Sequence, residues 1–526
     1  MVVPELRPWR AARPHVARIA NAVRPRLARA RAAAAPRVAR WAPAAKPQVG
    51  RVMKASPWPY TAVAATAGLA LAAGVVTAAG PWDSSGQRTA ERERAAAHRE
   101  PGGTDHGDGP GMAGAPRPAP SAATVLTGLG SATNVVRSSP NGRALAAVLD
   151  PLLAAPALGD RRTAVVVDLA TGKRLYGSGP DEALTPASTT KIATAVAALS
   201  ALGPDHRLTT RAVYEPDTEE LVLVGGGDPT LTARKDSAGL ASLRTLAAKA
   251  AAALKERKVR EVTLSYDTTL YAGPERHPIG VNDNLAPVTP LMADEARVDA
   301  STSGPPVQRI AAPAADAAGK FARFLNEHGI RTTSPGPSKA TNRAQPLATV
   351  QSPPVSALVE RMMTESDNDI AEALARHTAV ATGKRADFAG AARAIEAQLK
   401  KLGLPLKGAR IKDGSGLDRN GRLTANLLTR LLLKAADPAR PGLRPALTGL
   451  PVAGFTGTLT TRYADGAAGI VRAKTGSLNG VNTLAGTAVT RDGHVLGFAF
   501  LTSGGYEVTA ARAALDRAAT ALTTTR

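Results

Sequence analysis

The feature that most constrains the fold is a pair of β-hairpin patterns at the two ends of a globular body that begins near Gly142. Residues 163–177 (TAVVVDLATGKRLYG) hold an apolar run, a Thr-Gly-Lys turn and a second strand. Residues 486–504 repeat this pattern around Asp492-Gly493, a dipeptide that favours tight turns. Residues 145–158 and 507–522 have helical spacing instead. A sheet built from both ends of a body, with helices between and after its strands, predicts an α+β fold rather than a doubly wound one.

The first 141 residues have a different composition and are predicted to form an arm, an anchor and a linker. Residues 1–59 contain eleven Arg and two Lys but only one acidic residue, which predicts a basic cytoplasmic arm. Residues 60–80 include nineteen consecutive uncharged residues flanked by tryptophans, which predicts one transmembrane helix. A cleaved signal peptide is the alternative interpretation of this run. Residues 81–141 are rich in Gly, Pro, Ser and charge, which predicts a flexible linker.

This organisation predicts a cell-membrane protein with an extracytoplasmic body, or a secreted protein if the N-terminal segment is cleaved. Because the basic arm adjoins the apolar run, anionic lipid is the simpler partner for it. Nucleic-acid binding is not expected. It would appear as salt-sensitive DNA binding by residues 1–59, and the 3% content of aromatic residues argues against base stacking.

Other classes of chemistry are excluded by composition or lack the required spacing. The chain has no cysteine, which excludes disulfides, iron–sulfur clusters, thiolate zinc sites and a cysteine nucleophile. The eight histidines are scattered, and Asp294-Glu295 has no histidine at a metal-ligand spacing. Gly225–Pro229 lacks the Lys-Ser/Thr ending of a phosphate loop, and DGSGLDRN at 413–420 lacks calcium-loop spacing. Both are predicted to be turns, the second near the functional site, and no metal or cofactor is expected.

The first candidate for catalysis is PASTTKIATAVAAL, which places Ser188 at the start of an apolar helix and Lys191 three residues later. Positions i and i+3 share one helix face, so the amine can take the proton of the hydroxyl. The N-terminus of the helix adds backbone N–H groups for a developing oxyanion. Alone, this spacing is as typical of a capping serine beside a solvated lysine.

The second candidate is Ser366-Asp367-Asn368 in RMMTESDNDIAEAL. Apolar spacing predicts one helix before it and another after it, so the tripeptide lies at a junction that can direct a hydroxyl and an amide into a cleft. A capping turn is the alternative.

The third candidate is Lys474-Thr475-Gly476-Ser477, flanked by strand-like residues. A glycine there allows a ligand to approach the strand closely. Lys474 supplies positive charge for a substrate carboxylate, the hydroxyls of Thr475 and Ser477 lie beside it, and the Ser477 N–H can complete an oxyanion hole. A polar turn with a solvated lysine is the alternative.

In this order the three motifs resemble the active-site set of penicillin-binding proteins and serine β-lactamases. The 178 residues between Ser188 and Ser366 are too many for a plain β-lactamase-like domain. With LVLVGGGDPTLT at 221–232, the sequence resembles the class C low-molecular-mass penicillin-binding proteins, the D-alanyl-D-alanine carboxypeptidase/endopeptidase family, over about 142–526. The resemblance implies a β-lactamase/transpeptidase-like domain, an antiparallel sheet between helical layers, formed by 142–204 and 346–526 with a domain inserted at 205–345.

The resemblance also implies a mechanism. Lys191, held neutral by Lys474 and burial, deprotonates Ser188, which attacks a peptidoglycan stem peptide ending in D-Ala-D-Ala. Ser366 relays a proton to the leaving amine, Asn368 holds the substrate amide, and Lys474, Thr475 and Ser477 bind the terminal carboxylate beside Gly476. β-Lactams would act as inhibitors. The sequence does not decide between carboxypeptidase action and endopeptidase action. A β-lactamase or esterase, and a non-catalytic wall-binding or β-lactam-sensing protein, are the alternatives.

Overall fold

The computed structural model describes residues 142–299, 301, 306–463 and 466–525. The predicted arm, apolar run and linker lie outside these residues. Within the described residues no helix combines the length and the apolar composition that crossing a membrane requires.

The strands, in chain order, are β1 (Arg161–Asp168), β2 (Arg174–Ser178), β3 (Ala183–Leu184), β4 (Arg207–Glu215), β5 (Glu220–Val224), β6 (Glu261–Asp267), β7 (Arg331–Thr332), β8 (Gly336–Pro337), β9 (Gln345–Pro354), β10 (Leu423–Thr424), β11 (Val471–Leu478), β12 (Val481–Val489) and β13 (Val495–Ser503). The α-helices are α1 (Gly142–Leu153), α2 (Thr190–Leu202), α3 (Leu243–Glu256), α4 (Pro313–Glu327), α5 (Val355–Glu365), α6 (Asn368–Ala381), α7 (Phe388–Lys401), α8 (Ala425–Ala436), α9 (Pro445–Thr448) and α10 (Val508–Thr524).

Both predicted hairpins are present, and together they form one sheet. The order is β11-β12-β13-β1-β2, and every neighbouring pair is antiparallel. β1 pairs with β13 along its whole length, so the two ends of the body meet at the centre of the sheet. The α+β class predicted from the hairpins is therefore confirmed.

The period-2 alternation of the central strands places a hydrophobic core on each face of this sheet. Val165 and Val167 pack into the core that contains α2 and α5–α8, whereas Ala164 and Val166 pack into the core formed with α1 and α10. The sheet is thus enclosed between two helical layers, as the resemblance implied, and the catalytic motifs lie where α2 and the α5–α6 junction approach β11.

A second sheet lies within residues 207–354. Its order is β7-β6-β5-β4-β9, with β8 also paired to β6. β4 is antiparallel to β5 and β9, whereas β5-β6 and the short pairs of β6 with β7 and β8 are parallel. Helices α3 and α4 cover one face of this mixed sheet and share its own apolar core. The last strand of this sheet, β9, begins at residue 345 and leads directly into α5. The limits predicted for an inserted domain, 205–345, stay a prediction.

Candidate active site

Ser188 lies in the 3₁₀ turn Ala187–Thr189 that leads into α2, and Lys191 lies in the first turn of that helix. The Lys191 Nζ donates a hydrogen bond to the Ser188 Oγ at 3.2 Å. Ala187, immediately before the serine, has a φ of 47°, a left-handed value that is costly for a residue with a Cβ. Strained backbone therefore precedes a hydroxyl group that the amine of Lys191 can deprotonate.

Lys191 is completely buried. Besides Ser188, its ammonium contacts the Asn368 Oδ1 at 2.6 Å and the Ser415 carbonyl oxygen at 2.8 Å. Burial lowers the pKa of Lys191 to about 8, against the opposing charges of Asp413 and Glu372. A base of this pKa is partly neutral near neutral pH and can accept a proton from a serine.

The sequence hypothesis holds Lys191 neutral through burial and through Lys474. Burial is the cause that lowers the pKa of Lys191. The pKa of Lys474 also falls well below its usual range, because of burial and then because of the charge of Lys191. Repulsion between two ammonium groups acts on both of them, so burial accounts for the shift of Lys191 and the contribution of Lys474 stays a prediction.

The Ser-Asp-Asn motif occupies the predicted helix junction. Ser366 ends α5 in a left-handed conformation (φ 61°), and the Asp367 side chain caps α6 by accepting from the Ile370 N–H at 2.9 Å. Asn368 is the first residue of α6. Its amide accepts from Lys191 and donates to the Asn284 carbonyl oxygen at 2.8 Å. Both ends of the amide that was expected to hold substrate thus contact protein in this structure.

The Lys-Thr-Gly-Ser motif lies on β11, at the edge of the five-stranded sheet. Lys474 Nζ donates to the Ser366 Oγ and to the Thr475 carbonyl oxygen, each at 2.9 Å. A Cβ added to Gly476 would lie 2.2 Å from the Thr483 Oγ1 and 3.0 Å from the Ser188 N. Only glycine therefore allows β11 to lie against the nucleophile turn.

The structure thus brings all eight predicted site residues together, six of them in two chains of contacts: Lys191 with Ser188 and Asn368, and Lys474 with Ser366 and Thr475. Their catalytic and binding roles stay predictions. A cleft of about 270 Å³ is lined by Ser188, Ser366, Asn368 and Ser477, and also by Asn284, Glu295, Arg297, Arg309 and Leu417.

Several of these lining residues lie outside the three motifs. They belong to the loop between β6 and α4, described at 268–299, 301 and 306–312, which we call the β6–α4 loop. Arg309 in this loop forms an ion pair with Asp369 at 3.1 Å, and Arg361 contacts Glu295 and lies 3.4 Å from Asp367. Burial and the nearby charge of Asp367 raise the pKa of Glu295 well above its usual range. The loop is therefore tied electrostatically to the start of α6.

A second group that the sequence did not reveal lies behind Lys191. His277 of the β6–α4 loop is buried and lies 3.0 Å from Asp413, Nε2 to Oδ2. Asp413 accepts from the Gly416 N–H, and Glu372 accepts from the Ser415 N–H at 2.9 Å. These bonds orient the Ser415 carbonyl group that receives Lys191.

The ligand atoms of His277, Glu372 and Asp413 lie within 4.8 Å of one another, which is close enough to hold a metal ion. Their hydrogen bonds indicate a structural use instead. The carboxylates of Asp413 and Glu372 already accept backbone N–H bonds. The predicted turn at 413–420 is confirmed by these bonds and by the Asp418 N–H, which donates to the Asp413 Oδ2 at 2.7 Å. Sequence spacing does not indicate this group, because His277 lies 136 residues before Asp413.

Comparison with known proteins agrees with this geometry. The model of the D-Ala-D-Ala carboxypeptidase 3 (S13) family matches residues 145–306 and 299–524. The chain is 37% identical over 404 residues to the carboxypeptidase DacB of Mycolicibacterium smegmatis, covering 73% of this chain and 85% of that protein. It is 35% identical over 406 residues to a carboxypeptidase of Mycobacterium tuberculosis, covering 74% and 86%. The crystal structure of penicillin binding protein 4 from Haemophilus influenzae superposes with a TM-score of 0.59 at 22% identity, covering 73% of this chain and 98% of that one.

Proposed function

This chain belongs to the D-Ala-D-Ala carboxypeptidase 3 (S13) family, and we propose that it hydrolyses the D-Ala-D-Ala terminus of peptidoglycan stem peptides through an acyl-enzyme on Ser188. It is a serine-type carboxypeptidase and therefore a hydrolase. β-Lactams, which acylate the same serine, are its inhibitors.

The observation that carries the role of Ser188 is its pairing with Lys191. The 3.2 Å contact joins a half-buried hydroxyl to an amine whose pKa burial lowers to about 8. In the first step the Ser188 proton moves to the Lys191 Nζ while the Oγ forms a bond with the carbonyl carbon of the penultimate D-Ala. The backbone N–H groups of Ser188 and Ser477 stabilise the oxyanion that results.

The second pair serves the leaving group. When the C–N bond breaks, the departing D-Ala amine requires a proton. Ser366 supplies it from its hydroxyl, and Lys474, which donates to the same oxygen at 2.9 Å, replaces that proton. Water then cleaves the ester: its hydroxyl joins the acyl carbon and its proton returns to the Ser188 Oγ. Proton exchange with solvent returns Lys191 to its neutral form and Lys474 to its charged form. No residue is assigned as a dedicated deacylating base, so slow release of a penicilloyl group is expected, unlike in a β-lactamase.

We also propose that the protein acts outside the cytoplasm and is held at the membrane by residues 60–80. The uncharged run Thr61–Ala79 and the basic residues before it support this. Sedimentation of the full chain with membranes after alkaline washing tests the anchor, and release into the soluble fraction would contradict it.

The enzymatic proposal is tested by incubating the full chain, in detergent, with a fluorescent penicillin and separately with a D-Ala-D-Ala peptide. We expect a long-lived adduct and D-Ala release, both lost in Ser188→Ala. Rapid loss of label with free penicilloate would instead identify a β-lactamase. Absence of both activities in the folded wild-type chain would favour a non-catalytic binding protein.

A further inference from the structure

The cation expected to bind the substrate carboxylate is not accessible from the cleft. Lys474 is 0% exposed, and its ammonium already donates to the Ser366 Oγ and to the Thr475 carbonyl oxygen. Both contacts are made inside the protein, so the ammonium of Lys474 is engaged by the Ser-Asp-Asn motif and by its own strand. Two of the predicted carboxylate partners, Thr475 and Ser477, remain accessible, and they offer only hydroxyl groups.

A different cation lies at this end of β11. Arg512, on the first turns of α10, directs its Nη2 to the Ser477 Oγ at 3.3 Å. Ser477 lines the cleft together with Ser188, so the guanidinium lies against a hydroxyl group that faces the same cleft as the nucleophile. Arg512 is exposed, and its planar donors suit a carboxylate.

The surroundings of Arg512 leave this guanidinium available for an anion. The nearby Asp516 is engaged by Arg462, whose Nη2 and Nε approach its two oxygens at 2.5 and 3.0 Å. Among the described residues, no carboxylate lies within 4.0 Å of the Arg512 side chain. Partial burial and then repulsion by Arg462 lower the pKa of Arg512, and the charge of Asp516 opposes this shift. A bound carboxylate would offset that repulsion.

We propose that Arg512 is the specificity-determining residue that binds the free carboxylate of the leaving D-amino acid, with the hydroxyls of Ser477 and Thr475 as its neighbours. Lys474 is then reserved for the proton relay through Ser366. This inference rests on the proposed function and adds the residue that distinguishes a leaving residue with a free carboxylate from one that carries an amide. The Thr475 hydroxyl donates to the Thr458 Oγ1 at 2.9 Å, and it would turn from that partner to donate to a carboxylate.

The test compares a D-Ala-D-Ala peptide with the same peptide carrying a C-terminal amide. We would measure kcat/KM for release of D-Ala or D-Ala-amide by the full wild-type chain and by Arg512→Ala, Arg512→Lys and Arg517→Ala. Arg517 is the matched control, because it lies five residues along the same helix and lines a separate surface hollow with Tyr463 and Asp516.

We expect Arg512→Ala to reduce kcat/KM for the free acid by about 10- to 100-fold, the usual size for losing one charge-assisted contact, and to leave the amide within about twofold. Arg512→Lys should recover part of the loss, and Arg517→Ala should match wild type. An equal loss on both substrates, or no loss on either, would overturn the proposal. Failure of the wild-type chain to cleave either substrate would instead contradict the proposed function itself.

Discussion

The five-stranded sheet carries part of its chemistry on one edge strand, β11, whereas the six-stranded sheet contributes to the cleft through the β6–α4 loop that leaves its own strand. In the first region the functional groups are a lysine and hydroxyls whose types are dictated by the reaction. In the second they are Asn284, Glu295 and Arg309, which line the cleft, and His277, which lies behind it. We therefore expect the first region to carry the chemistry and the second to position it.

The way in which the second region holds the site is visible in its contacts. Asn284 accepts from Asn368, Arg309 pairs with Asp369, and His277 pairs with Asp413. Asn368 belongs to the Ser-Asp-Asn motif and Asp369 follows it directly. Asp413 lies two residues before Ser415, whose carbonyl group receives Lys191. The comparison therefore predicts large catalytic effects from the first region and smaller, partly structural effects from the second.

The largest effect should come from removing the base. Lys191→Met keeps the length of the side chain but removes the amine that accepts the Ser188 proton. We expect the second-order rate constant for penicillin acylation to fall at least about 1,000-fold, as when a general base is lost from an activated serine. Stopped-flow or quenched labelling measures it. Acylation within tenfold of wild type would show that another group deprotonates Ser188.

The next largest effect should come from separating β11 from the turn Ala187–Thr189, which carries Ser188. Gly476→Ala would place a Cβ 2.2 Å from the Thr483 Oγ1 and 2.8 Å from the Pro186 carbonyl oxygen, so strand and turn must separate. We expect acylation to slow about 100-fold, the cost of misplacing reacting groups by about 1 Å.

The matched control for that variant is Gly319→Ala in α4 of the second region, where an added Cβ meets nothing within 4 Å. It should leave acylation unchanged and stabilise the chain by about 0.5–1 kcal/mol, because alanine favours a helix over glycine. Equal losses of acylation from both variants would remove the distinction between the two regions.

A pH dependence of intermediate size follows from the buried lysine. The base must be neutral, and burial lowers the pKa of Lys191 to about 8, so the neutral fraction rises as pH rises through that value. We expect acylation to increase about tenfold between pH 6 and 7 and about fivefold between pH 7 and 8, and to level off by about pH 9. A rate that is flat or falls over this range would contradict the assignment of Lys191 as the base.

The smallest effect should come from the β6–α4 loop. His277→Ala removes the buried partner of Asp413 and an edge contact with Phe388 at 4.9 Å between ring centroids. We expect the free energy of unfolding to fall by about 1–3 kcal/mol, and acylation to slow by about tenfold or less. His328→Ala, at an exposed position, is the control for both measurements. If His277→Ala matched that control, the loop would not support the site.

The residues whose types are fixed by chemistry could be predicted from the sequence. Ser188, Lys191 and the Lys-Thr-Gly-Ser strand stand at spacings that a local helix or strand converts directly into contacts. The hairpins were equally predictable, because alternation and an Asp-Gly turn are local signals.

The supporting residues could not be predicted, because their partners are distant in sequence and their types are ordinary. His277 meets Asp413 across 136 positions, and Arg512 meets Ser477 across 35. Glu372 alone offered a signal, as an acidic residue within an apolar helix that proves to be 0% exposed.

Every proposal made for this site depends on Ser188 being the residue that becomes acylated, and peptide mapping can locate the acyl group. Trypsin cleaves after Arg174 and Lys191, so Ser188 lies in the peptide 175–191. Mass spectrometry of the full chain treated with penicillin G should find the mass of one penicilloyl group on this peptide, located at Ser188 by fragmentation. An unmodified 175–191 peptide, with the added mass on a different peptide, would contradict the account.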